Sequence, residues 1–238
     1  MSLVELIAQA DARALAVSGL ACLDRCVPLL GGGEDGDEVL RPLWGSVAEG
    51  DEWGGRLAKV RAALGAGVPI PVSVSGPVSV SVSGPVSGEG DAVFGDGDGD
   101  GDAMFGAGDG DAVFGDGDAP ALVRRMLDAA PDRLPGADDT GPLAGSLRAW
   151  ADACSVAALQ IHRILDIPGT EPASVTARRE GRTEGMSPLV AAELRRQIAI
   201  LELLAERGTG GLRQVLEMST EGRRVLRAVV SRRARGRG

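Results

Sequence analysis

The chain has 238 residues, with 34 acids against 25 bases and a net charge of −9. Its three cysteines, Cys22, Cys26 and Cys154, are an odd set that builds no disulfide framework, and no apolar run approaches the length of a membrane-spanning helix. One histidine (His162), one lysine (Lys59) and no tyrosine leave few general acids or bases beyond carboxylates, so no catalytic residue and no cofactor is nominated.

The charge is unevenly placed. Residues 1–66 hold ten acids and six bases, residues 67–119 ten acids and no base, and residues 120–238 fourteen acids and nineteen bases. The acidity is thus a property of the middle segment, and an argument from the overall pI about nucleic acid would mislead. The start, Met1 to Ile7, has neither the basic region nor the long apolar core of a secretory leader, and the expected location is a reducing cytoplasm.

From Leu3 the residues Leu6, Ile7, Ala10, Ala14, Val17 and Ala21 share one helical face. Past Gly19 the stripe rotates, which predicts a long helix that either bends there or is buried from several sides at its end. Gly31-Gly32-Gly33 ends it. Asp37 or Glu38 is expected to open a short helix through Trp44, and Asp51 to cap another over about residues 52–64.

Residues 67–119 are a low-complexity insert. Its first half alternates Val or Ile at even positions with Pro and Ser at odd ones, a strand-like pattern broken by Gly-Pro. Its second half sets Asp-Ala-(Val/Met)-Phe units in Gly-Asp runs. Asp96, Asp98, Asp100, Gly101 and Asp102 imitate the start of a calcium loop, but Ala107 stands where a bidentate Glu is needed, so no metal site is expected. All three Phe of the protein, Phe94, Phe105 and Phe114, lie here and are candidate docking stickers on a disordered acidic chain.

After the insert, residues 120–127 read as a short helix stopped by Pro131 and Pro135, and a longer helix is expected from Thr140 through Leu165. Residues 169–186 read as a polar loop. Ser187-Pro188 is a start signal for a helix running to Arg207 and stopping at Gly208. Two more are expected, about residues 211–217 and 220–234, the second capped by Thr220.

Cys22 and Cys26 are one helical turn apart, but the only further zinc ligands of suitable type, Cys154 and His162, are eight residues apart on one helix, about 12 Å of rise. They cannot reach one ion, so no metal is expected and the cysteines read as buried structural residues. His162, late in its helix, suits the negative end of the dipole.

The run Ile198 to Gly208, in the order helix, short helix, basic helix over residues 191–234, resembles the helix-turn-helix core of winged-helix regulators. That resemblance implies nucleic-acid binding, and Arg223, Arg224, Arg227, Arg232, Arg233, Arg235 and Arg237 would supply phosphate contacts. The competing reading is an amphipathic terminal helix that gives Val225, Leu226, Val229 and Val230 to a bundle and keeps its arginines wet.

The expected fold is an all-α helical bundle interrupted by a long disordered acidic Gly/Asp/Val/Ser insert, residues 1–66 and 120–238 packing as one domain. The expected function is that of a non-enzymatic cytoplasmic regulatory or accessory protein acting through protein–protein contacts, with a protein partner or a second copy of itself. The alternative is a transcriptional regulator binding nucleic acid through its basic end.

Overall fold

Ser2 opens the first helix, α1 (Leu3–Gln9), through a capping box: its hydroxyl accepts from the Glu5 N–H at 3.3 Å, and the Glu5 carboxylate accepts from the Ser2 N–H at 2.7 Å. The chain turns extended at Ala10, and Asp11 caps α2 (Ala12–Cys26) by accepting the Ala14 N–H at 2.7 Å. The one long helix expected from Leu3 is therefore two. Asp11 offers the backbone donors of a new helix a better partner than a continued helix would.

The computed structural model describes residues 1–31, 38–49, 52–65, 118–136, 141–166 and 174–236. The expected caps Asp37, Asp51 and Thr140, the stickers Phe94, Phe105 and Phe114, and Arg237 lie outside the described residues. All described residues belong to the unit built from residues 1–67 and 108–238.

A 3-10 turn (Val27–Leu30) ends α2, and Gly31 follows at φ +83°, the left-handed position that stops a helix. Then come α3 (Arg41–Glu49), α4 (Trp53–Gly65), α5 (Asp118–Asp128), α6 (Pro142–Ile164), α7 (Val175–Arg179) and α8 (Pro188–Arg207). A second 3-10 turn (Gly208–Gly211) leads into α9 (Leu212–Gly236). The described residues contain helices and turns and no strand.

Every residue of α2 from Ala14 to Cys26 is buried, Asp24 and Arg25 included. This explains the rotating stripe: α2 is a central post enclosed by α6, α9, α8, α3 and α5, and a helix packed on all sides needs no single apolar face. Gly19 marks the closest approach of α6. A Cβ there would stand 2.6 Å from Cζ3 of Trp150, so only glycine lets the indole lie against the post. The Trp150 Nε1–H donates to the Met126 carbonyl at 2.8 Å, and its ring meets Trp53 edge-on at 6.2 Å.

Arginines close three helix ends. Arg148 donates to the carbonyls of Ile7 (2.6 Å) and Ala8 (2.7 Å) at the end of α1. Arg61 donates to Asp128 (2.8 Å) and Ala130 (2.6 Å) after α5, and Arg233 to Ile164 (2.8 Å) at the end of α6. Terminal carbonyls have no partner within their helix, and a guanidinium satisfies them while complementing the negative end of the dipole.

Four further expectations are corrected. Helix α5 begins at Asp118, inside the expected insert, and Ala119 is buried in the core. Helix α3 starts at Arg41, and its buried face extends beyond Trp44 to Ser46 and Val47. The polar loop 169–186 contains α7, whose Val175, Arg178 and Arg179 are buried. The two short helices expected after Gly211 are one. Thr220 does not start a helix, because Val215, Ser219, Gly222, Arg223 and Leu226 form a continuous buried face that carries α9 past it. That continuity removes the turn on which the helix-turn-helix resemblance depended.

Candidate functional site

Two places combine chemistry with defined geometry: a charged cluster inside the bundle and a groove on its surface.

The cluster is centred on Glu193 of α8, which lies on the same buried face as Val190, Leu194, Gln197 and Leu201. Arg25 of α2 donates to it from Nε (2.9 Å to Oε2) and Nη2 (2.5 Å to Oε1). Gln197 Nε2 donates to Oε1 at 2.9 Å, and His162 Nε2 stands 3.6 Å from Oε2. Gln197 in turn accepts from Ser155 Oγ of α6 at 2.7 Å, and Arg179 of α7 donates to that hydroxyl at 3.2 Å and pairs with Asp152. On the other side of Arg25, its neighbour Asp24 accepts from Arg223 of α9 at 2.8 Å. One polar chain thus ties α2, α6, α7 and α8 together, and the Asp24–Arg223 pair beside it joins α2 to α9.

The protonation states follow from geometry. The Ala158 carbonyl, 2.7 Å from His162 Nδ1, can only accept, so that nitrogen carries a hydrogen, and Nε2 is the ring nitrogen that faces Glu193. Burial pushes the imidazole pKa down, outweighing the attraction of Glu193. Burial alone would raise Glu193, but Arg25 and then His162 overcome it and hold the carboxyl at about 2. His162 stands in the last turn of α6, as expected, but its ring is buried there and bonds the Ala158 carbonyl of its own helix.

Arg25, Glu193 and His162 are 0%, 0% and 1% exposed, so the centre of the cluster is closed to solvent. Cys22 accepts from Arg25 Nη2 at 3.4 Å, yet burial drives its thiol up to about 12, and burial also raises Cys26 and Cys154. All three thiols are free and buried. Among the described residues no group of three or more His, Cys, Asp or Glu converges on a metal position. This cluster organises helices.

Its pH dependence has a definite sign. His162 and Glu193 both have folded pKa values below their ordinary 6.5 and 4.5, so the unfolded chain binds their protons more readily. Their stabilisation is complete above about pH 6.5 and is lost on acidification, first for His162 and then, between 4.5 and about 2, for Glu193. Thermal melts at stepped pH should show a falling midpoint below pH 6.5, and His162→Gln should flatten the upper part of that fall. A midpoint unchanged down to pH 5 in the native chain would refute the assignment for His162.

The second place is an open groove of about 610 Å³. Leu165 and Asp166 at the end of α6 form one wall, and Pro188, Leu189 and Ala192 in the first turns of α8 another. The second half of α9 closes it with Val225, Val229, Arg232 and Arg233. Six of these nine lining residues are aliphatic or proline, which gives a size and composition suited to holding an apolar group.

The structure separates six of the seven arginines of the basic end, Arg237 lying outside the described residues. Arg223 is buried against Asp24, and Arg233 is spent on the end of α6, so neither is a free phosphate contact. Arg224, Arg232 and Arg235 are exposed and Arg227 is half-buried. Sequence reading missed Glu193, Gln197, Arg179 and the groove. No helix among the described residues is long and apolar enough to cross a membrane. No protein-family model, curated protein or solved structure matches the chain.

Proposed function

We propose that the protein is a cytoplasmic, non-enzymatic accessory or regulatory factor that works by docking a partner protein in the groove between α8 and α9. The observation that carries this reading is the groove itself. It is concave, apolar and open, while the polar cluster is closed to solvent. A bundle surface leaves such a channel uncovered at the cost of exposed apolar area, and a helix laid into a groove is a common way to cover one. The sealed cluster supports the reading too, because it fixes the helices that shape the walls.

Site-specific photocrosslinking in the native host tests it. A photoreactive residue at position 225 should trap one discrete protein adduct, and the same residue at position 213, on the exposed start of α9, should not. Equal labelling from both positions would remove the groove from consideration.

The alternative, nucleic-acid binding, is supported by one observation: residues 222–236 hold six arginines and no carboxylate. It requires a mobility shift of duplex DNA that weakens with salt and with Arg224→Glu. No shift at low salt would remove it.

A further inference from the structure

The groove has a polarity as well as a shape. Its α9 wall lies in that same arginine stretch, with exposed Arg232 on the lining and exposed Arg235 one turn on. Its α8 wall is the start of a 20-residue helix, whose positive dipole end opens beside Pro188 and Leu189. The opposite end of α6, which would bring negative carbonyls to the same place, is neutralised by Arg233 through Ile164 O (2.8 Å) and Asp166 O (3.3 Å). Asp166 is the one carboxylate on the lining. An apolar floor is thus framed by positive charge from two helices.

From this charge complementarity we infer that the groove takes an acidic amphipathic helix of a partner protein, with aliphatic anchors on one face and Glu or Asp on its flanks. The inference rests on the docking reading above and adds the chemistry of the partner. Val225 to Arg233 spans about 12 Å along α9, which fits roughly two turns of a docked helix with anchors at i, i+3 or i+4, and i+7. Carboxylates beside those anchors meet Arg232 and the start of α8. A basic helix in the same place meets like charge, which is how the groove discriminates.

The test uses the full chain and a fluorescein-labelled synthetic peptide of two Glu-Leu-Glu-Glu-Leu-Leu-Glu repeats, with a twin in which every Glu is Lys. Fluorescence anisotropy should show the Glu peptide binding about tenfold or more tighter than the Lys twin, with the gap narrowing as salt is added. Arg232→Glu, on an exposed position, should weaken the Glu peptide about tenfold and improve the Lys twin. Val225→Asp, on a half-buried groove wall, should weaken both, with far-ultraviolet circular dichroism and melting unchanged.

The outcomes separate the two claims. If both peptides bind equally, Arg232→Glu is silent and Val225→Asp abolishes binding, the acidic partner is wrong and the docking groove stands. If Val225→Asp is silent, or neither peptide binds, both readings fall. If the wild-type chain is a dimer by light scattering and Val225→Asp makes it a monomer, the groove holds a second copy and the acidic-partner inference is overturned. If duplex DNA displaces the Glu peptide and binds Val225→Asp normally, the basic end is a polyanion surface and the inference is again overturned.

Discussion

Replacing Arg25 with methionine is expected to destabilise the protein by about 3–5 kcal/mol. Methionine fills much of the same space, so the loss is electrostatic. Glu193 remains fully buried with Gln197 as its only strong donor, and the carboxylate loses the guanidinium that held it ionised. Arg25 also has an unsatisfied Nη1, so the native pair is itself not fully hydrogen-bonded. The double replacement Arg25→Met with Glu193→Leu should therefore recover most of the loss, because two apolar residues remove the desolvation cost of both ions. Urea denaturation of the two singles and the double measures this directly.

The pH response gives a second readout. In Arg25→Met the Glu193 carboxyl loses the largest influence that lowers its pKa, so that pKa rises, and His162 and Arg196, 3.6 and 4.0 Å from Oε2, are the basic groups left near it. The depression of the folded pKa is relieved, so stability should fall less steeply on acidification than in the native chain. A mutant that keeps the native slope would show that Arg25 does not set the state of Glu193.

The second large effect is expected at the tryptophan on the central post. Trp150→Ala should cost about 3–5 kcal/mol, a fall in Tm of about 10 °C. It removes a 3%-exposed indole, its bond to Met126 and the edge contact with Trp53. Gly19→Ala should also destabilise, by about 1–3 kcal/mol, because the added methyl meets the same ring. Combined, the two should cost less than their sum, since the cavity left by the indole accommodates the methyl. Additive losses would mean that the two helices do not meet through this pair.

Much of the helical content was legible from the chain, and the particular residues show why. Ser187-Pro188 marked the start of α8 because a hydroxyl acceptor followed by a proline is a local device, complete within a few residues. Gly208 marked its end for the same reason. The break at Asp11 is equally local, yet an unbroken apolar stripe ran through it and masked it. Helix α9 went wrong in the opposite direction. Ser219 and Thr220 look like a cap, but burial of Ser219 and Gly222 against the rest of the bundle holds the helix straight through them.

The candidate sites were less legible. Polar residues stand at apolar-stripe positions and were not read as a network: Asp24 and Arg25 in α2, Glu193 and Gln197 in α8, Ser155 and His162 in α6. Such residues signal a buried network, but the partners Arg25 and Glu193 are 168 positions apart, and no local pattern encodes that distance. The arginines show the same division. Their abundance was plain, while their uses, closing helix ends at Arg61, Arg148 and Arg233, pairing internally at Arg25 and Arg223, or facing solvent at Arg224, Arg232 and Arg235, depend on which helix arrives beside them.

By itself, then, the sequence determined what short-range physics can determine: helices rather than strands, several of their ends, an aliphatic core, cysteines without a disulfide framework, and an acidic charge concentrated in residues 67–119. Helical periodicity and capping act over one or two turns, so they are written in neighbouring residues. Only the tertiary structure decided that α2 is enclosed on every side, that Arg25 and Glu193 share a site, and that α6, α8 and α9 leave a groove framed by arginines. Those are relations between surfaces far apart in the chain, fixed by close packing around Gly19, Trp150 and Gly222 and not by the preference of any one segment.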